Sequence, residues 1–348
     1  MNLVVVPTDN GACGYYRCRL PMSSIKGHEV HFTQLASDPR LQTCDLLYMN
    51  RVSSHNEIKV FRDAKSRGAI TVCDFDDNLH TLPASNPCSQ LYGNGREATR
   101  IFEESLKLAD IVVCSTAELA YEYKKFREDI IICNNVLSDE HLDQIAPTEI
   151  AGEFKREGEV RIGYAGSMSH YGDVEMLTKV LTKVAGRYPE TKFCFFSQPP
   201  PQMFSIPKER IEYYQQVSPL SRETSADFML RYYSCLKALD IDIALAPLER
   251  HIFNKSKSAV KMLEYGMTGV PIVASNYGPY NLYEGSTFRC SDDYRSWVDR
   301  ISQLIENQMT RKVLAQDNLD YIKTFCTMKN NVQNWQTIID NAHKKGKE

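Results

Sequence analysis

Short apolar runs alternate with longer amphipathic segments along the first part of the chain. Each run is rich in β-branched residues and too short for a buried helix, which is typical of strands covered by helices on both faces. The predicted strands are residues 3–6, 45–49, 70–73, 111–114 and 130–133, and the predicted helices between them are residues 15–25, 57–67, 96–108 and 117–126. This order of elements predicts a doubly wound α/β domain with a parallel sheet.

The alternation stops at residue 138 and restarts at residue 160. The segment between them is polar, contains Pro147, Gly152 and Gly158, and lacks an apolar period, so it predicts a connection between domains. Beyond it, the pattern predicts strands at residues 160–164, 192–197, 241–245 and 270–274 and helices at residues 173–186, 225–236, 257–266, 309–325 and 331–342. We expect a first domain at 1–145, a linker at 146–159 and a second domain at 160–325, with a cleft between two similar sheets.

The composition agrees with two folded domains and excludes several classes of protein. The chain has 348 residues, of which 43% are hydrophobic and 24% charged, so a disordered chain is excluded. The formal net charge of −3 gives no overall attraction to nucleic acid or to an anionic membrane. The eleven cysteines include no Cys-x-x-Cys pair, and no apolar run approaches the length of a membrane span. We expect a cytoplasmic enzyme or binding protein with reduced thiols and no cysteine-bound metal.

The most informative segment runs from residue 246 to residue 266. A strand ends, a polar loop follows, and a helix is predicted to begin near Ser256, where unpaired N–H groups together with Lys255 and Lys257 favour an anion. Lys257, Lys261 and Glu264 then share one helix face, with Glu264 about 10 Å from the helix start. This spacing suits a nucleotide whose phosphates meet the helix start and whose ribose meets Glu264. The alternative is an exposed Lys–Glu pair on a solvated face.

A second loop follows the first strand of the second domain. Gly163 and Gly166 allow a ligand to approach the backbone closely, although they do not complete a G-x-G-x-x-G motif. His170 is a candidate hydrogen-bond partner for a phosphate oxygen, and Asp173 is most simply a helix cap. The alternative for His170 is an ordinary surface histidine.

Two segments of the first domain also carry candidate chemistry. Gly11, Gly14 and Arg17 lie at a strand-to-helix turn, which suggests a backbone-lined pocket for an anion or a sugar. Residues 74–78 read Asp-Phe-Asp-Asp-Asn, which places the three carboxylates of Asp74, Asp76 and Asp77 within four residues at the end of a predicted strand. Such clustered like charges need a metal, a cation or hydroxyl donors nearby.

The whole chain resembles the retaining glycosyltransferases of GT-B fold in the large family-four group, in the branch common in bacteriophages and bacteria. The segments that carry the resemblance lie in both domains and in the expected order. They are Gly11-x-x-Gly14-Tyr-x-Arg17, Asp74-Phe-Asp-Asp-Asn78, residues 109–116, Gly163-Tyr-Ala-Gly-Ser-x-x-His170, Phe253-Asn-Lys-Ser-Lys-Ser-x-x-Lys261-x-x-Glu264-Tyr, residues 269–275 and Gly278-Pro-Tyr280.

The resemblance implies two Rossmann-like domains that face a central cleft, and a C-terminal helix within residues 326–348 that crosses back to the first domain. It also implies a nucleotide-sugar donor, usually UDP-linked, held mainly by the second domain. By motif, Glu264 would bind the ribose hydroxyls, Ser258 and Lys257 the diphosphate, and Ser167 and His170 its outer oxygens.

One departure concerns the pair of glutamates typical of this family. The first would stand at position 256, where this chain has Ser256, and the usual Arg/Lys pair of the second domain is not evident. We therefore expect sugar contacts from the backbone of residues 253–257. The full expectation is catalytic Lys257, His170, Asp76 and Asp77; donor-binding Gly166, Ser167, Asn254, Lys255, Ser256, Ser258, Lys261 and Glu264; and sugar- or acceptor-side Gly11, Gly14, Tyr15, Arg17 and Tyr280.

No metal or other cofactor is expected. Residues 74–76 spell the D-x-D signature with which the other glycosyltransferase fold holds a metal, but they lie in the first domain, ahead of a second nucleotide-like domain. We expect these carboxylates to meet hydroxyl groups instead. Retention would proceed by front-face attack, with the departing diphosphate taking the acceptor proton and no protein nucleophile.

The phage-like character of the motifs suggests a hydroxymethylated pyrimidine in DNA as the acceptor, which is an analogy with the family. Basic and aromatic residues at 96–100, 121–127 and 213–214 are candidate contacts, although residues 121–127 also suit an ordinary surface helix. One alternative acceptor is a lipid-linked or cell-surface saccharide. A second alternative, which Ser256 allows, is a non-catalytic protein that binds a nucleotide-sugar. The sugar and the oligomeric state stay open.

Overall fold

The chain forms two parallel β-sheets of six strands each, flanked by helices. The computed structural model describes residues 1–167, 170–196, 205–215 and 217–345. The first sheet contains β1 (Asn2–Val6), β2 (Glu29–Phe32), β3 (Leu46–Asn50), β4 (Ile70–Phe75), β5 (Ile111–Cys114) and β6 (Ile130–Ile132). The second contains β7 (Val160–Ala165), β8 (Thr191–Phe196), β9 (Ile211–Tyr213), β10 (Ile243–Ala246), β11 (Ile272–Ser275) and β12 (Phe288–Cys290). The predicted α/β class is confirmed.

Helices connect successive strands and cover the sheet faces. In the first part of the chain they are α1 (Ala12–Gly14), α2 (Leu20–Ser24), α3 (His55–Ser66), α4 (Glu97–Leu108), α5 (Ala117–Tyr123) and α6 (Asp139–Ile145), with a π-helical turn at Tyr15–Arg19. The others are α7 (Tyr171–Glu175), α8 (Thr178–Arg187), α9 (Ser225–Ala238), α10 (Ile252–Lys255), α11 (Val260–Met267), α12 (Pro279–Leu282), α13 (Tyr294–Glu306), α14 (Gln308–Phe325) and α15 (Met328–Lys345).

The strand order fixes where a ligand can bind. The first sheet runs β2-β1-β3-β4-β5-β6 and the second β12-β11-β10-β7-β8-β9. The order therefore reverses direction between β1 and β3 in one sheet and between β7 and β10 in the other. In open parallel sheets, the crevice beyond the carboxyl ends of the strands at such a reversal is the usual ligand site. The loops that follow β1, β7 and β10 are therefore the structural candidates.

Three strands that the hydrophobic pattern did not predict, β2, β9 and β12, all lie at a sheet edge. Edge strands are short and need no apolar residues on both faces, so they carry a weak sequence signal. The predicted end of β8 at Ser197 lies outside the described residues.

Two helices also correct the sequence prediction. Residues 138–145 belong to a helix, α6, because Ser138 caps it by accepting a hydrogen bond from the His141 backbone N–H, and Leu142 and Ile145 are buried. Helix α13 was missed altogether, although Trp297 anchors it in the core of the second domain. Trp297, Val298, Ile301, Leu304 and Ile305 are buried at helical spacing, so the sequence did carry the signal for this helix.

The C-terminal helix α15 packs against the first domain, as the resemblance implies. Backbone hydrogen bonds join Leu137 to Cys326 and Met328 where the chain returns, each 2.8 Å long. Further along α15, the ring centroids of Trp335 and Tyr48 lie 6.5 Å apart, and only 2% of the Trp335 surface is exposed. The last helix therefore completes the core of the first domain.

Arg17 lies in this core and not in an anion pocket, which corrects the role proposed for it from the sequence. Its guanidinium donates to both carboxylate oxygens of Asp74, at 2.9 and 2.6 Å, and both side chains are fully buried. It also donates to the Cys133 carbonyl at 2.6 Å and to Asn135 Oδ1 at 2.8 Å. Tyr48 donates to the same carboxylate at 2.8 Å. Arg17 thereby joins the segment after β1 to β4 and to the segment after β6.

We expect Arg17→Ala to destabilise the protein by about 3–5 kcal/mol, because it leaves the buried Asp74 carboxylate without its cation. The free energy of unfolding, measured by urea denaturation, checks this. Arg62→Ala removes an arginine whose pair with Glu104 is largely exposed, and should leave the denaturation midpoint nearly unchanged. Equal midpoints for the two variants would contradict the structural role of Arg17.

Candidate active site

A cavity of about 450 Å³ lies between the two sheets, at the carboxyl ends of their strands. One wall comes from the first domain and the other from the second. The polar residues and glycines that line it are Gly11, Cys13, Tyr16, Asp76, Asp77 and Asn135 on the first wall, and Gly166, Ser167, His170, Ser218, Tyr232, Lys257, Ser258, Lys261, Glu264 and Tyr280 on the second. The structure thus brings most of the predicted site residues together.

The first wall begins with the turn after β1. The Asp9 side chain accepts hydrogen bonds from the backbone N–H groups of Gly11 and Gly14, at 2.8 and 3.0 Å. A Cβ at Gly14 would collide with the Asp9 carbonyl, so this position requires glycine. Gly11 lines the cavity, whereas Gly14 shapes the turn. Tyr15, predicted on the sugar side, is instead buried with its hydroxyl 3.0 Å from His141 Nδ1.

Asp76 and Asp77 reach the cavity beside an arginine that the sequence did not indicate. Arg51 Nη2 donates to Asp76 Oδ1 at 2.6 Å and to Asp77 Oδ2 at 3.2 Å. Burial raises the pKa of Asp76, but the charge and hydrogen bond of Arg51 outweigh it and hold this pKa below its usual value. Arg51 also has a positive φ of 54°, which is rare for a residue with a Cβ. The cations that the carboxylate cluster requires are therefore Arg17, which pairs with Asp74, and Arg51.

The second wall corrects the predicted helix boundary. Helix α11 begins at Val260, not near Ser256, because a short helix, α10, and a turn occupy the preceding residues. The Ser256 hydroxyl donates to the Ile252 carbonyl at 3.0 Å and is fully buried. Lys257 thus lies before the helix, and Glu264 is about 6 Å along the axis from its start.

Two lysines supply the positive charge of the second wall. The Lys257 ammonium lies 3.9 Å from Asp77 Oδ1 across the cleft. Lys261 Nζ donates to the Ala165 carbonyl at 2.6 Å, and burial lowers the pKa of Lys261 to about 8. Both ammonium groups therefore face the cavity from one side, with remaining capacity to donate hydrogen bonds to an anion.

Three predicted donor-binding residues do not line the cavity. Asn254 is buried and donates to Asp173 Oδ1 at 2.8 Å. Lys255 pairs with Glu118 of the first domain at the exposed edge of the cleft. Ser256 accepts a hydrogen bond from Thr116 through its carbonyl, at 2.9 Å. Asn254 and Ser256 hold the loop through buried hydrogen bonds, whereas the Lys255 side chain lies outside the cavity at the exposed edge of the cleft.

Glu264 is buried at the far end of the second wall, where burial raises its pKa to about 7. Its Oε1 accepts a hydrogen bond from Tyr16 of the first domain at 3.1 Å, and its Oε2 from Tyr232 at 3.3 Å. Tyr16 also lies within 2.5 Å of the Tyr233 hydroxyl. Tyr16 and Tyr232 were missed. Tyr16 lies 248 residues from Glu264 in sequence and Tyr232 lies 32 residues from it, so no local motif indicates either contact.

The remaining predicted residues also have defined places. Gly166, Ser167 and His170 lie in the loop after β7, of which Met168 and Ser169 are outside the described residues. Ser258 accepts a hydrogen bond from Asn135 of the first domain at 3.0 Å. Tyr280, predicted on the acceptor side, is a buried residue of α12 and contributes to the second wall.

The two walls differ in charge. The second wall offers two ammonium groups and a hydrogen-bond-accepting carboxylate, with Lys257 seven residues and Lys261 three residues before Glu264 in the sequence. The first wall offers carboxylates. This arrangement suits an anion that also carries hydroxyl groups. Among the residues that the structure describes, no group of three or more His, Cys, Asp or Glu side chains is arranged to hold a metal ion.

The described part of the chain also contains no helix with the length and apolar character needed to cross a bilayer.

No protein-family model matches this sequence, and no curated protein matches it. Solved structures nevertheless match its fold. A sucrose-phosphate synthase from Thermosynechococcus elongatus aligns with a TM-score of 0.65 at 11% identity, over 99% of this chain and 100% of that one. Anabaena HepE, in complex with UDP and glucose, aligns with a TM-score of 0.65 at 10% identity, over 99% and 100%.

The pneumococcal O-GlcNAc transferase GtfA, in complex with UDP and GlcNAc, aligns with a TM-score of 0.57 at 12% identity, over 85% of this chain and 56% of that one. With two Rossmann-like sheets, a cleft between them and a returning C-terminal helix, the chain has the GT-B fold of these glycosyltransferases.

Proposed function

We propose that this protein is a retaining glycosyltransferase that moves a sugar from a UDP-linked donor to a hydroxyl acceptor. One observation carries the proposal: Lys257, Lys261 and Glu264 line the same wall of the cleft in a chain of GT-B fold. Two structures of this fold were solved with UDP and a sugar, HepE with glucose and GtfA with GlcNAc. Fold likeness alone does not specify chemistry, so the side chains of the cleft must support the function.

The donor diphosphate would lie between the two lysines. Lys261 is charged below pH 8, and a neighbouring diphosphate favours its charged form further. Glu264, in the middle of α11, would accept hydrogen bonds from the ribose hydroxyls. The donor sugar would then extend towards His170 and the first wall.

The lysines also explain how transfer would be accelerated. Breaking the bond between the sugar and the diphosphate places negative charge on the leaving oxygen. Lys257 and Lys261 are held in place before the reaction, so they stabilise this charge without rearrangement.

The retaining outcome rests on the lack of a strong base among the described groups of the first wall. Arg51 holds the pKa of Asp76 below its usual value, which makes this carboxylate a poor proton acceptor. The acceptor proton would therefore pass to the departing diphosphate oxygen as the acceptor oxygen bonds to the sugar on the same face. Asp76 and Asp77 would orient acceptor or sugar hydroxyls. No metal enters this scheme.

The acceptor that we propose is a hydroxymethylated pyrimidine in DNA. The support comes from α5, which contacts the second domain through Glu118 and exposes Tyr121, with 67% of its surface accessible. The basic residues that follow, Lys124 and Lys125, are also exposed and would contact phosphates. A chain with a net charge of −3 needs such a local patch to bind DNA.

The test is to incubate the protein with UDP-glucose, UDP-galactose or UDP-N-acetylglucosamine and with plain or 5-hydroxymethylated DNA, in the presence and absence of EDTA. We expect UDP release and a mass gain of one hexose on the modified base, unchanged by EDTA. A mass gain on a lipid-linked saccharide instead would overturn the DNA acceptor. Binding of UDP-sugars without release of UDP would indicate a non-catalytic protein.

We expect Lys257→Ala and Glu264→Ala each to reduce kcat/KM for UDP release more than tenfold, because they remove a partner of the diphosphate and of the ribose. Lys255→Ala is the matched control, since Lys255 neighbours the site but pairs with Glu118 outside the cavity. Its kinetics should resemble those of the wild type. Wild-type kinetics in both site variants would refute the donor assignment.

We also expect the affinity for UDP-glucose to be highest between about pH 7 and pH 8. Below this range Glu264, with a pKa of about 7, becomes protonated and accepts hydrogen bonds less well. Above it Lys261, with a pKa of about 8, loses its charge. Both phosphates of UDP-glucose are esterified, so the ligand does not titrate here. Calorimetric titrations from pH 6 to pH 9 check this, and Glu264→Gln should remove the acidic limb alone.

A further inference from the structure

Asp173 does not cap a helix, which corrects the role proposed for it from the sequence: the N-cap of α7 is His170, and no side chain makes a capping hydrogen bond there. Asp173 is buried, with 4% of its surface accessible, at the start of α7. Its Oδ2 lies 2.7 Å from His170 Nδ1, and its Oδ1 accepts hydrogen bonds from Asn254 Nδ2 at 2.8 Å and from the Glu249 backbone N–H at 2.7 Å. The carboxylate therefore joins the loop after β7 to the loop after β10.

These contacts determine which nitrogen of His170 carries a proton. Burial raises the pKa of Asp173, but the hydrogen bonds it accepts and the neighbouring Lys257 outweigh burial and hold this pKa below its usual value. An ionised carboxylate only accepts hydrogen bonds. His170 Nδ1 must therefore be the donor in the 2.7 Å contact.

The second nitrogen of His170 is then left without a proton. Burial, together with Lys257 and Lys261, lowers the pKa of His170 to about 3, against the opposing effect of Asp173. The imidazole is neutral near pH 7, with its proton on Nδ1, so Nε2 is a hydrogen-bond acceptor. His170 lines the cavity, with 17% of its side chain exposed.

A hydrogen-bond acceptor at this position distinguishes the diphosphate of a nucleotide-sugar from its sugar. A diphosphate oxygen carries negative charge and no hydrogen, so it cannot donate to Nε2. A sugar hydroxyl can donate to it. Within the family resemblance His170 was expected to meet the outer phosphate oxygens, and the hydrogen-bond pattern of Asp173 argues against that assignment.

We propose, on the basis of the function proposed above, that Asp173 is a positioning residue that fixes His170 Nε2 as the acceptor of a hydrogen bond from a hydroxyl of the donor sugar. His170 thereby contributes to recognition of the sugar, whereas Lys257 and Lys261 bind the diphosphate and Glu264 binds the ribose. Asn254 supports this arrangement, because its side chain donates a hydrogen bond to Asp173 Oδ1, the oxygen that does not contact His170.

The experiment compares the affinities of the full-length protein for UDP and for UDP-glucose by calorimetry at pH 7.5. UDP carries more negative charge than UDP-glucose at this pH. The contribution of a side chain to sugar binding is therefore given by the change that its substitution makes in the ratio of the two dissociation constants. We expect His170→Ala to weaken UDP-glucose about fivefold to tenfold while changing UDP less than twofold. His170→Gln places an amide oxygen near the position of Nε2 and should restore part of the loss.

Asp173 is tested through a double-mutant cycle, because Asp173→Asn removes the ionised acceptor that fixes the imidazole. We expect this variant to lose UDP-glucose affinity as His170→Ala does, and the double variant to lose no more than either single one. A purely structural role would weaken UDP as well and would add to the effect of His170→Ala. Thermal unfolding of each variant confirms that the proteins compared are folded.

Three results would overturn the inference. Parallel losses for UDP and UDP-glucose in His170→Ala would place His170 at the diphosphate. Additive effects in the cycle would show that Asp173 does not act through His170. A loss of UDP-glucose affinity in His170→Gln as large as that in His170→Ala would show that no hydrogen-bond acceptor is needed at this position. If the wild type binds no UDP at all, the proposed function itself fails, and this inference fails with it.

Discussion

The buried ion pair between Arg17 and Asp74 is the interaction on which the first wall of the cleft depends. It is bidentate, it is fully shielded from water, and the same guanidinium reaches the Cys133 carbonyl. Charges taken out of water are costly unless every donor and acceptor is satisfied. Here Tyr48 donates a further hydrogen bond to Asp74, and Asn135 accepts one from Arg17. The turn after β1, strand β4 and the segment after β6 are consequently held in one arrangement, and Asp76 is presented to the cavity two residues beyond Asp74.

Both apolar and polar contacts join the two domains. Phe228 and Met229 of α9 belong to the same buried apolar cluster as Leu142 of the first domain. Around the cleft, Tyr16 also donates to Glu264, Asn135 to Ser258, and Thr116 to the carbonyl of Ser256. These hydrogen bonds exchange with water or with ligand hydroxyls more readily than apolar packing does. They are therefore the adjustable part of the site.

Central strands, the two-domain division and the positions of Lys257, Lys261 and Glu264 near one site could be predicted from the sequence, because local patterns encode them. Three of the four edge strands, β2, β9 and β12, were not predicted, because the hydrophobic pattern identifies a strand by its burial on both faces. Arg17 and Arg51 show the second limit. Each follows a strand of the first domain, yet one is buried in the core and the other reaches the cleft. Which arginine pairs with which aspartate depends on the tertiary fold. The fold likewise places Ser256 at the end of α10, although the sequence suggested that it begins the next helix.

The contact of Glu264 with Tyr16 and Tyr232 has a thermodynamic consequence. Both carboxylate oxygens already accept a hydrogen bond, so a ribose hydroxyl that arrives there must share an oxygen or displace a tyrosine. Ligand entry at this end of the cleft is then an exchange of partners, with little net change in the number of hydrogen bonds. Tyr16 belongs to the first domain and Glu264 to the second. Displacing Tyr16 would therefore remove one hydrogen bond between the domains when the nucleotide binds. The cost of separating the domains and the gain from holding the ribose are thereby linked through one side chain.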